Sequence, residues 1–160
     1  MRGSWRLWGT VAALVVLHFL VHLGVGVGRK APDFLTLALL LGARNLKMGV
    51  GAALGFALGL LEDSFSILAF GSNTIALTLL GALGARSRDL FVGDSALFTV
   101  LYLFVGKWVH DLVLWLVVGE TLRDSFVYSM LLQSVLAALY LSLVGLLVMS
   151  ITRTWWEASR

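Results

Sequence analysis

Lys107, His110 and Asp111 fall at relative positions zero, three and four inside the apolar run Ala96 to Gly119. A helix would present them on one face near the middle of that run. An ammonium, an imidazole and a carboxylate so placed can form an internal ion pair, pass a proton or meet a polar partner helix. A lone charge at mid-membrane costs about 2.5–3.5 kcal/mol on insertion scales, and pairing Lys107 with Asp111 would offset much of it. His18 and His22 are four apart on another apolar run, a spacing that can present two imidazoles to one metal. No HExxH pattern or third ligand accompanies them, so packing or interfacial roles are expected and no metal is assigned. Glu62 and Asp63 end a third run, where two acids oppose the helix macrodipole. Such a penalty points to a constraint, such as a hydrogen bond to the following loop or to the next helix near Asn73. The chain has no GxSxG, phosphate loop or CxxC, and neither a catalytic residue nor a cofactor is assigned.

The elements that position these groups must be read against an unusual composition. Of 160 residues, 59% are hydrophobic and 13% charged, whereas a soluble domain is about 45–50% apolar and about 25% charged. Lipid is therefore the expected solvent. A spanning helix needs roughly 20 apolar residues, so about six spans with short connections would fit, as one membrane domain over residues 1–160. The net charge is +3 and the pI near 9.7. The 12 Lys and Arg are scattered singly and in pairs, which argues for membrane orientation and against nucleic-acid binding.

Six apolar runs are present: Leu7 to Gly28, Ala31 to Ala43, Met48 to Leu61, Ile67 to Ala85, Ala96 to Gly119 and Phe126 to Ile151. Several exceed the roughly 10 residues of a membrane β-strand and none alternates with a period of two, so all are expected to be helices. The second is short: either a re-entrant segment or a span extended by snorkelling of Arg44 and Lys47, with Ala31 to Lys47 reaching about 24 Å. If all six cross, Arg2, Arg6, Arg44, Lys47, Arg86, Arg88, Arg153 and Arg160 share one side. The other side holds Arg29, Lys30 and Arg123. The positive-inside rule then places both termini in the cytoplasm, with Trp5, Trp8, Trp155 and Trp156 as interfacial anchors.

Gly51, Gly55 and Gly59 recur every four residues and line one face of the third helix, which Asp63 continues. Such a face lets another backbone approach closely, either within this chain or from a partner. The stretch from Gly55 to Arg86 reads as a GF-x-x-GL-x-x-D helix end, a short loop with Gly71, and a helix closing on glycine and a basic residue. It resembles the rod shape-determining protein MreD family, as do Pro32 before a short apolar run, the chain length and the six-span layout. Gly55, Phe56, Gly59, Asp63 and Gly71 carry the resemblance. Lys107, His110 and Asp111 match no motif of that family.

The resemblance implies a fold similar to the substrate-binding subunits of energy-coupling-factor transporters. It also implies a nonenzymatic inner-membrane scaffold that binds an MreC-like single-span protein. The RodA glycosyltransferase and a class B penicillin-binding transpeptidase would then build side-wall peptidoglycan alongside it. Two other readings stay open: a vitamin-type transporter subunit, and an intramembrane enzyme resting on Lys107, His110, Asp111 and the Glu62, Asp63 pair.

Overall fold

A computed structural model describes residues 3–24, 33–65, 69–87, 96–119 and 125–152, and every regular element among them is a helix. In order these are α1 (Gly3–Gly24), α2 (Phe34–Ala43), α3 (Met48–Asp63), α4 (Ser72–Ser87), α5 (Ala96–Val117) and α6 (Ser134–Thr152). A π-helical turn, Tyr128–Gln133, runs into α6. Pro32 lies outside the described residues, as do Arg2, Arg29, Lys30, Arg88, Arg123, Arg153, Trp155, Trp156 and Arg160.

The shortest helix is the centre of the bundle. α2 touches each of the other five helices, and Leu35 through Ala43 are all buried. It starts where the Asp33 side chain accepts hydrogen bonds from Thr36 N (2.9 Å) and Thr36 Oγ1 (2.6 Å), an N-cap that satisfies donors the helix itself leaves open. It ends at Ala43, after which Asn45 and Leu46 turn back onto the Gly42 and Ala43 carbonyls and Lys47 is extended. A continuous helix from Ala31 to Lys47 therefore does not form. Ten residues rise about 15 Å, half of a hydrocarbon core of about 30 Å.

Among the described residues, three helical stretches are long and apolar enough to cross a membrane: Trp5–His22, Ala96–Val117 and Tyr128–Thr152. α3 and α4 have 16 residues each, about 24 Å of rise. The outward surface is compatible with lipid, since large apolar residues such as Leu20, Phe56, Leu79, Leu101 and Leu143 are exposed on successive helices.

Each inner face follows helical periodicity. α5 buries Thr99, Tyr102, Leu103, Gly106, Lys107 and His110, and α6 buries Ser134, Ala138, Leu141, Ser142, Gly145 and Met149. Tyr102 donates its hydroxyl to the Leu40 carbonyl (2.9 Å), and a Cβ at Gly106 would lie 2.8 Å from the Leu40 side chain. α2 and α5 thus approach across a small residue and are tied by a buried hydrogen bond. Within the π-helical turn the Met130 carbonyl accepts from the Trp108 indole N–H at 3.4 Å, which links α5 to the last helical stretch.

Candidate functional site

The Lys107 ammonium, almost fully buried, is the hub of a charged cluster between α2 and α5. It lies 2.8 Å from Asp111 Oδ1, the pair that i,i+4 spacing suggests, and 2.7 Å from Asp33 Oδ2. Asp33 is the residue that sequence reasoning passed over. Its signal was there: an Asp three residues before Thr36 at the head of an apolar run is a helix-cap pattern. One carboxylate therefore both starts the central helix and pairs the mid-helix lysine of α5. Such a cation between two carboxylates is far less costly in a low dielectric than any of the three alone.

His110 completes the cluster. Its Nδ1 lies 3.3 Å from Asp111 Oδ1 and 3.9 Å from Asp33 Oδ2. A carboxylate only accepts, so the ring presents an N–H on Nδ1 to Asp111. Its Nε2 is buried with no hydrogen-bond partner.

A second imidazole stands close to a carboxylate of α3. His18 is buried on α1, both its ring nitrogens lack hydrogen-bond partners, and Nε2 lies 3.9 Å from Glu62 Oε1. That gap is too long for a direct hydrogen bond, and the pair meets as an electrostatic contact. His22 stacks on His18 with ring centroids 4.8 Å apart and planes 25° apart. Among the described residues no group of three His, Cys, Asp or Glu is arranged to hold a metal.

Glu62 and Asp63 do not act as a pair. Glu62 faces His18, whereas Asp63 is buried and turned to α4. Asp63 Oδ2 accepts from Gly71 N (2.9 Å), Thr74 N (2.8 Å) and Thr74 Oγ1 (2.6 Å), and Oδ1 accepts from Asn73 N (3.2 Å) and Asn73 Nδ2 (3.1 Å). The last residue of α3 thus caps the first turn of α4, where a negative charge is favoured. This resolves the macrodipole conflict: the carboxylate that opposes the C-terminus of α3 serves the N-terminus of its neighbour. Gly71 makes the turn possible with φ of 93°, a left-handed conformation open to glycine. α4 accordingly begins at Ser72, five positions after the apolar run that suggested a start at Ile67.

The glycine face is occupied within the chain. A Cβ at Gly51 would meet the Gly81 carbonyl oxygen at 2.5 Å, one at Gly55 would collide with the Leu77 carbonyl, and one at Gly59 would meet Thr74 Cα at 2.5 Å. α3 and α4 therefore touch backbone to backbone. This face is not available to dock another protein's helix. Of the apolar motif side chains, Phe56 and Leu60 are turned outward and exposed, away from the glycine face.

The structure thus gathers Lys107, His110 and Asp111 with Asp33, and separately joins Gly51, Gly55, Gly59, Asp63 and Gly71 to α4. No protein-family model matches the chain, and neither a curated protein nor a solved structure matches it.

Proposed function

We propose that this chain is a nonenzymatic scaffold of the bacterial cell-elongation complex, of the MreD kind, set in the inner membrane with six crossings and both termini cytoplasmic. It would hold a single-span partner of the MreC type and so support side-wall peptidoglycan synthesis and cell shape. RodA and a class B penicillin-binding transpeptidase would be further members of the assembly.

One observation carries the reading. The residues of the resemblance build a rigid α3–α4 hairpin through Gly55, Gly59, Asp63 and Gly71, and that hairpin presents apolar side chains outward, with Phe56, Leu60, Ile75 and Leu79 exposed. A hairpin so stiffened offers a preorganised surface to a partner helix, which lowers the cost of association. The glycines act by shaping this hairpin, and the partner is held on its outer side.

Co-expression with the cognate MreC-like protein is expected to give a complex that survives detergent purification. A photo-crosslinking residue at position 56 or 79 should capture the partner, while one at Leu116 of α5 should not. Loss of the complex together with no crosslink at either position would refute the scaffold. The second reading, a vitamin-type subunit similar to those of energy-coupling-factor transporters, is favoured by the orphaned imidazole nitrogens of His18 and His110 deep in the bundle. A small molecule retained in stoichiometric amount by the purified protein, and lost in a His18→Leu variant, would select it.

A further inference from the structure

At the end of the bundle that carries Trp5 and Thr152, a groove of ≈ 440 Å³ is lined by α1 and the last turn of α6. Its walls are apolar or small: Gly9, Ala13 and Leu17 on one side, Val148 on the other. The hydroxyls of Thr10 and Thr152 donate to the carbonyls of Arg6 and Val148 on their own helices, at 2.9 and 2.7 Å. Arg6 is the charged residue of this lining, which contains no carboxylate. Beside it Trp5 is 70% exposed, the placement of an aromatic side chain at a membrane–water interface.

We propose that this groove is a binding site for one acyl chain of an anionic phospholipid, whose phosphate is held by the Arg6 guanidinium at the interface. Along α1 the lining has the length of a single leaflet, since from Arg6 to Leu17 the helix rises about 16 Å, close to half of a hydrocarbon core of about 30 Å, while α6 contributes its last turn, Val148 and Thr152. A spanning partner helix would need the full thickness, and the groove stops at Leu17. The charge sits at the mouth and the apolar lining runs inward, which is the polarity of a lipid entering from the leaflet that holds Arg6. Guanidinium recognises phosphate through paired N–H donors, so the site selects for headgroup charge as well as chain.

Gly9 gives a direct test, because a Cβ there meets nothing within 4 Å and a larger side chain fills the groove without striking the fold. Gly119, two residues beyond the C-terminal end of α5 and equally open, is the control. Full-length delipidated protein in detergent is titrated with phosphatidylglycerol or phosphatidylethanolamine and bound lipid is counted by native mass spectrometry. Phosphatidylglycerol should bind about fivefold more tightly, in line with one interfacial arginine. Arg6→Gln should erase that preference, Gly9→Leu should weaken both lipids, and Gly119→Leu should change neither, with thermal unfolding in detergent confirming that each variant is folded. Equal binding of both lipids by the wild type, or unchanged binding by folded Gly9→Leu, would overturn the proposal. So would a crosslink from Ala13 to a co-expressed single-span protein in place of lipid.

Discussion

Removing the Lys107 ammonium would leave the carboxylates of Asp33 and Asp111 facing each other in a buried site. Lys107→Leu should therefore cost about 3–5 kcal/mol, the range for breaking a buried charge pair. The shared geometry decides how the loss is repaired. Adding Asp111→Asn alone should recover little, because Asp33 stays unpaired, whereas adding both Asp33→Asn and Asp111→Asn should recover most of the stability. Thermal unfolding in detergent checks this, and a triple variant no more stable than Lys107→Leu would mean that the three groups are not coupled. A second expectation concerns Asp63. Its carboxylate accepts five hydrogen bonds from the start of α4, so Asp63→Ala should cost at least about 2 kcal/mol through a lost cap and stranded donors. Glu62→Gln, one position away, makes none of those contacts and should melt close to wild type. Equal melting of the two variants would show that the cap is dispensable. Because Asp63 is structural, its substitution would disturb any partner complex only through the hairpin, and Phe56→Ala is the cleaner probe of partner contact.

Helices α3 and α4 are held together by the absence of side chains. Where lipid competes equally for apolar surface, close backbone packing supplies the association that hydrophobicity gives in water. Gly55→Ala adds one methyl group against the Leu77 carbonyl and should force the helices apart at a cost of about 1–3 kcal/mol, the range for overpacking. Ala53→Leu, on the exposed face of the same helix, adds more bulk and should change little. A chemical-denaturation or thermal series that ranks these two the other way round would place the glycine face toward lipid. The four-residue recurrence of glycine was legible in the sequence, but both an internal and an external partner fitted it. The choice fell to α4, because Gly81 and Leu77 expose matching backbone and Asp63 clamps the hairpin at its turn.

At the scale of the molecule, the proposed six-crossing topology makes its own prediction. Reporter fusions after Arg160 and at the N-terminus should both read as cytoplasmic, as the surplus of basic residues on one side requires. An extracytoplasmic signal from the C-terminal fusion would leave an odd number of crossings, with α2 as the segment that fails to cross. Much of the architecture was readable beforehand, because helix formation in an apolar medium depends on local quantities: run length, rise per residue and the lack of alternation. The apolar runs therefore fell on the helices to within about five residues where they are described, the π-helical turn counted with α6, and the i,i+4 contact of Lys107 with Asp111 followed from helical geometry alone. The tertiary structure decided the rest. It made the shortest helix the centre and brought Asp33 to a lysine 74 positions away. None of this could be read from hydropathy, because a residue facing lipid and a residue facing another helix are equally apolar, and only packing and the pairing of polar groups distinguish the inside of the bundle from its outside.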